Sequence, residues 1–206
     1  MRKLLILAAI GAFAVVGGTT AAYAMPQEAP AGPKTASVQG SAEFRLTFWP
    51  DKDVRSFTFD ARATPYTRPM PGAPHGLPSD ATGTVKVSHY LDSEDKTVRF
   101  EAVVDCMTTS PGNAALTAKV VRGDDEVKEW VGKRLGFSVQ DAGKDHKGRS
   151  QDRVGLSWVV GNAVENDKGE WVEGTVGTCQ APAAFAPVTR GGYTVKHAEM
   201  VPAPKG

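Results

Sequence analysis

Three stretches in the middle of the chain decide the fold: GTVKVSHYL (83–91), TVRFEAVVDCMT (97–108) and AALTAKVVR (114–122). They are joined by DSEDK (92–96) and TSPGN (109–113). Each long stretch is rich in β-branched residues, and each connection is short, polar and turn-forming. That combination predicts three antiparallel strands in a meander. In the central one Val98, Phe100, Ala102, Val104 and Cys106 share one parity, with Arg99, Glu101 and Asp105 on the other. Period-two alternation of this kind marks a strand with one buried face, and it places Cys106 on the apolar side.

The same pattern extends outward. Ala42–Trp49 alternates Phe44, Leu46 and Phe48 with polar residues, and Ser56–Arg62 does so with Phe57, Phe59 and Ala61. Leu135–Gln140, Val154–Val160, Glu170–Thr175 and Gly192–Glu199 complete the expected strands, with a turn at Asp167-Lys168-Gly169 before Trp171. Residues 64–80 hold five prolines, which no central strand tolerates, so they form a long surface loop. Asp124–Lys133 is the one helix candidate, with Val127, Trp130 and Val131 at helical spacing and Asp124 as its cap. The 22 glycines and 14 prolines of the chain disfavour long helices elsewhere. The expected fold is all-β, an antiparallel sandwich or partly closed barrel with little helix.

The N-terminus reads as an export signal. Arg2 and Lys3 precede an apolar run from Leu4 to Val16, and Ala22-Tyr23-Ala24 supplies a cleavage site after Ala24. The run is too short for a bilayer, which needs about 20 residues, so no stable membrane anchor is expected. The expected organisation is a signal peptide over 1–24, a flexible Pro-containing linker over 25–40, one all-β domain over 41–200 and a tail over 201–206. The mature chain should be secreted and extracellular. Loss of Arg2 and Lys3 shifts the formal net charge from +1 to −1, which leaves no basic field for nucleic acid. Cys106 and Cys179 are the only cysteines; in an exported chain they predict one disulfide.

Catalytic motifs do not assemble. Gly155-Leu156-Ser157-Trp158-Val159 lacks the closing glycine of G-x-S-x-G and lies within an expected strand, which makes Ser157 a solvent-side strand residue. Ser93-Glu94-Asp95-Lys96 matches S-x-x-K but sits in a hairpin loop, where no helical turn brings Lys96 onto Ser93. His75, His89, His146 and His197 form no ligand pair. His75 and His146 fall in loops, while His89 and His197 read as hydrogen-bonded or rim histidines on strands. Asp141, Asp145 and Asp152 share one loop, but three basic residues accompany them, and His146 replaces the glycine a calcium loop needs. Asp141 and Asp152 are better placed to close strand ends by accepting turn amides. No catalytic residue, metal site or cofactor is assigned. Trp49, Trp130, Trp158 and Trp171, with Tyr66, Tyr90 and Tyr193, are read mainly as core.

Phe100–Val120, Gly136–Gly143, Gln151–Trp158 and Phe185–His197 together resemble a strand–turn–strand pattern of exported bacterial proteins labelled "repetin". The resemblance covers roughly residues 83–199 and implies an all-β extracellular module, with no catalytic residue to carry over. From export, near-neutral charge and the lack of an assembled catalytic constellation, the expected function is a non-catalytic extracellular or envelope-associated module of unknown ligand, with a cell-envelope component or protein as candidate partner and a flat exposed Trp/Tyr row as its marker. Two alternatives stand beside it. One is a secreted hydrolase-type enzyme, marked by a cleft that holds His89 or His197 against an Asp. The other is a barrel-type carrier of a small apolar ligand, marked by an aromatic-lined cavity.

Overall fold

The computed structural model describes residues 35–158 and 161–205. The expected signal peptide over 1–24 lies outside the described residues, as does the expected linker up to Lys34. Ten strands follow in order: β1 (Ser37–Phe44), β2 (Val54–Ala63), β3 (Ala81–Leu91), β4 (Lys96–Ser110), β5 (Asn113–Gly123), β6 (Arg134–Gln140), β7 (Arg153–Leu156), β8 (Ala163–Glu165), β9 (Trp171–Glu173) and β10 (Ala186–Lys196). Strands β1 to β7 run as an antiparallel meander, and β10 closes it between β7 and β1 into an eight-stranded barrel. β8 and β9 form a separate hairpin within the β7–β10 connection. Closure removes the free edges that a sandwich would expose.

The lumen is packed. Phe44, Phe59, Phe137, Leu116, Val38, Val85, Val104 and Val154 are all but sealed from solvent. Phe57 stands edge-on to Phe44 (4.8 Å) and Phe137 (5.5 Å), and Phe59 to Tyr193 (5.3 Å). Edge-to-face pairs of this kind add about 0.5–1.5 kcal/mol beyond area burial. Ala42, Ala61, Ala81, Ala102 and Ala118 are buried among them, and these small residues give the rings room in a narrow barrel.

Several expectations shift. β1 occupies Ser37–Phe44 rather than Ala42–Trp49, so Ser37–Gly40, expected in the linker, are strand. The inward residues there are Val38 and Ala42, too small to give a loud apolar alternation, and Gly40 breaks it. Beyond Leu46 the chain turns, leaving Phe48 and Trp49 about half exposed. β10 starts at Ala186 rather than Gly192. The expected helix is a 3-10 helix over Asp125–Trp130. Asp124 does not cap it; its carboxylate accepts the Arg99 backbone N–H instead (2.8 Å).

Cys106 also departs from its expected face. Pairing passes from Val104 with Ala118 to Cys106 with Thr117, leaving Asp105 as the extra residue of a β-bulge. The bulge reverses parity, so Met107 joins the core and Cys106 turns to the outer wall beside Thr117. There Cys106 is disulfide-bonded to Cys179, with a Cα–Cα distance of 5.2 Å, and the Cys179 N–H donates to the Thr117 hydroxyl. The chain around Cys179 is laid along the outer wall. A Cβ at Gly136 would collide with the Gln180 carbonyl, and one at Gly155 with the Ala183 carbonyl. These two glycines let the strap approach the strands.

Candidate functional site

Strand direction sorts the connections into two ends. The connections over 64–80, 111–112 and 141–152 lie at one end, together with the C-terminal segment. Those over 45–53, 92–95 and 124–133 lie at the other, the mouth, where the connection over 157–185 also leaves β7 before its strap returns along the outer wall. The far end is sealed by hydrogen bonds. Asp80 accepts the N–H groups of Thr67, Arg68 and Leu77 on one oxygen, which folds the Pro-rich loop onto the barrel. The Arg68 guanidinium then donates to the carbonyls of Ala81, Val104 and Asp105.

The mouth holds a cavity of about 60 Å³ lined by Phe57, Val98, Phe100, Trp130, Phe137 and Trp158, with Arg55, His89 and Ser157 among its polar neighbours. The 3-10 helix forms one side of it. Val127 is buried, and Trp130 packs edge-on to Phe100 (5.5 Å). Glu126 pairs with Lys96 at the start of β4.

The polar rim is built by β2, β3 and the loop before β2. Arg55 is buried and donates to both oxygens of Asp51, at 3.2 and 2.7 Å. Asp53, itself buried, accepts the Asp92 N–H (3.0 Å) on one oxygen and pairs with His89 Nε2 (2.7 Å) on the other. His89 stands edge-on to Trp158 at 5.7 Å, and the Arg55 guanidinium lies over the same indole at 5.5 Å. Burial and then the Arg55 charge push the His89 pKa down, outweighing the Asp53 carboxylate. The imidazole is thus neutral at pH 7, donating Nε2–H to the Asp53 carboxylate. The hydrogen bonds from Arg55 hold the Asp51 carboxyl below its ordinary range. Arg55 Nε is buried without a hydrogen-bond partner among the described residues.

Ser157 is corrected from solvent-side to buried: it lies just past β7, and its hydroxyl accepts the Gly136 N–H (2.8 Å). It makes no hydrogen bond to His89 among the described residues. His89 is the one sequence-singled histidine that joins the cavity. His197 sits at the far end, bonded to Thr109 (3.0 Å) and Glu199 (3.1 Å), and His146 bridges to Arg149. Asp141 and Asp152 are engaged by backbone amides at the far end. Among the described residues no three His, Cys, Asp or Glu side chains gather as a metal site. Trp130 and Trp158 line the mouth, Tyr193 is core, and Trp49 and Trp171 are exposed.

Arg55, Asp51 and Asp53 were not singled out by sequence. The signal lay in D-K-D-V-R, an acidic pair two and four residues before an Arg at the start of a strand. Comparison with protein families, curated proteins and solved structures gives no significant match.

Proposed function

We propose that this protein is an exported, non-catalytic binding module that seats an apolar group of its ligand in the barrel mouth. The observation that carries the reading is the cavity's size against its lining. Aromatic walls favour apolar contact, but about 60 Å³ is well below the ~150 Å³ of a cavity that encloses benzene. The site therefore suits the tip of a larger ligand rather than a wholly enclosed cargo, which argues against the carrier. The His89–Asp53 pair beside the cavity meets the marker set for the enzyme, but a hydrolase also needs a nucleophile. Among the described residues no serine, threonine or cysteine is hydrogen-bonded to His89, so the pair lacks the nucleophile that a hydrolase of this kind needs. The disulfide suits an oxidising compartment. Export rests on the N-terminal signal, and the likeness to "repetin" proteins supports an extracellular role.

Titration with the neutral fluorophore N-phenyl-1-naphthylamine tests the site. Saturable fluorescence enhancement is expected, and Leu156→Phe, which fills the cavity, should abolish it without loss of the cooperative thermal transition. Absence of saturable enhancement, or enhancement unchanged in a folded Leu156→Phe protein, would overturn the proposal.

A further inference from the structure

The mouth differs from the rest of the molecule in charge. Its four connections carry thirteen Asp and Glu against five Lys and Arg, a net of −8. The segments at the far end, 64–80, 111–112, 141–152 and 197–205, balance at five and five. Adding Arg55, Lys96 and Arg134 from the strand ends still leaves the mouth at −5. Asp92, Glu94, Asp95, Asp125, Glu129, Glu165, Asp167 and Glu170 are all exposed. Asp51 and Asp53, two of the thirteen acids, are held at the rim against the Arg55 guanidinium.

Exposed apolar side chains occur at the mouth, as Met70, Met200 and Val201 do at the far end. Phe48, Trp49, Val131, Val164 and Trp171 lie on three of the four mouth connections. Trp171 is 70% exposed, and Phe48 leans on Phe185 at 5.9 Å. Acidic charge and part of the exposed apolar surface thus share the end that holds the cavity. Arg55 lines that cavity, and its buried Nε–H has no acceptor among the described residues; a ligand carbonyl would satisfy it.

We infer that the mouth docks a basic polypeptide segment, one apolar side chain of which enters the cavity while flanking Lys or Arg residues meet the acidic loops. Charge complementarity selects the cation. A polypeptide is favoured over a small amine on three grounds. The footprint spans four connections, and the enclosed volume matches part of one side chain. A peptide also brings the carbonyl that Arg55 lacks. An anionic membrane is repelled by this face. The inference rests on the apolar mouth proposed above.

Binding is read from intrinsic tryptophan fluorescence, since Trp130 and Trp158 line the cavity. The probes are Lys-Lys-Gly-Leu-Gly-Lys-Lys, its Gln and Glu analogues, the same Lys peptide with Gly for Leu, and n-octylamine. The Lys–Leu peptide should bind at least about tenfold tighter than the Gln–Leu peptide and weaken between about 50 and 500 mM NaCl. The Leu-free peptide should bind more weakly than the Lys–Leu peptide, and the Glu–Leu peptide should not bind. The combined variant Glu94→Gln, Asp125→Asn, Glu129→Gln changes exposed groups only; it should lose several-fold affinity for the Lys–Leu peptide and none for the Gln–Leu peptide. Equal binding of the Lys–Leu, Gln–Leu and Glu–Leu peptides would overturn the basic partner while sparing the apolar mouth. Octylamine binding as tightly as the Lys–Leu peptide would overturn the polypeptide. Failure of every probe, N-phenyl-1-naphthylamine included, would overturn both readings.

Discussion

His89 Nε2 and Asp53 Oδ2 are 2.7 Å apart, yet burial and Arg55 keep the histidine's pKa below its ordinary 6.5. The pair is therefore a neutral imidazole donating to a carboxylate. Its consequence for stability has a definite sign. Below pH 6.5 the unfolded chain takes up a proton that folded His89 refuses, so stability is full above that value and declines as pH falls toward the depressed folded pKa. Urea midpoints measured from pH 7.5 down to about 5 should fall. His89→Gln, which keeps an N–H for Asp53 but cannot titrate, should flatten that profile. Parallel profiles for the two proteins would count against the assignment.

Asp80 anchors the Pro-rich loop by a single carboxylate oxygen that takes three backbone amides, from Thr67, Arg68 and Leu77, at 2.9–3.1 Å. Hydrogen bonds to a charged acceptor are worth about 1.5–3 kcal/mol each where the amides have no alternative partner, less where water can replace it. Asp80→Ala should cost about 3 kcal/mol overall. It should also raise amide exchange at those three residues ahead of global unfolding. Unchanged exchange at Thr67, Arg68 and Leu77 would show that the prolines and the Arg68 guanidinium hold the loop without Asp80.

The barrel was legible wherever side chains were large and pairing regular: Phe57, Phe59, Val85, Val87, Phe137 and Val139 fall on the buried face that alternation assigns. It failed where a backbone irregularity broke the count. The bulge at Asp105 moved Cys106 to the outer wall without altering the disulfide, because a bridge depends on proximity and either face of a strand can supply it. β1 was displaced because Val38, Gly40 and Ala42 carry little apolar signal. His89 could be placed on the rim by parity with Val85 and Val87. Asp51, Asp53 and Arg55 could not, since their meeting depends on a loop that turns back over the mouth. The acidic mouth was hidden for a similar reason: its charges come from four connections spread over 45–185, and only the strand directions bring them to one end.

The Cys106–Cys179 bridge spans 73 residues, so its loss frees a long loop in the unfolded chain. The chain-entropy relation gives about 4 kcal/mol for a loop of that length. The strap has further ties in the folded state, including Arg153 to the Ala184 carbonyl (3.0 Å) and Cys179 N–H to Thr117. The double variant Cys106→Ala, Cys179→Ala should therefore keep its far-ultraviolet dichroism and unfold at a lower urea midpoint. A variant with an unchanged midpoint would mean that the bridge adds nothing beyond these ties.

Asp152 completes the barrel where the strands themselves fall short. β7 and β10 share only two paired positions, Val154 with Ala186 and Arg153 with Pro187, so beyond Val188, whose N–H meets the Asp152 carbonyl, the β10 donors on the β7 side have no strand to meet. The Asp152 carboxylate accepts Tyr193 N–H (2.8 Å) on one oxygen and Ala142 N–H (2.9 Å) on the other. Asp141 does the same for Val195 N–H and Gly143 N–H. Side chains thus replace the missing ladder acceptors along the last turn of β10. Asp152→Asn offers one acceptor and one amide donor where two acceptors are needed, and its donor faces a backbone N–H. It should cost about 2–3 kcal/mol and expose the Tyr193 amide to exchange. The same geometry predicts indifference to calcium, because both oxygens of both carboxylates already accept backbone amides, whereas Ca²⁺ asks for about six to eight free oxygen ligands. A ligand at 100 times its Kd would add about 2.7 kcal/mol, so the thermal midpoint with excess Ca²⁺ and with chelator should coincide. A calcium-dependent rise abolished by Asp141→Ala would mean that these carboxylates turn outward to a cation and that barrel closure rests elsewhere.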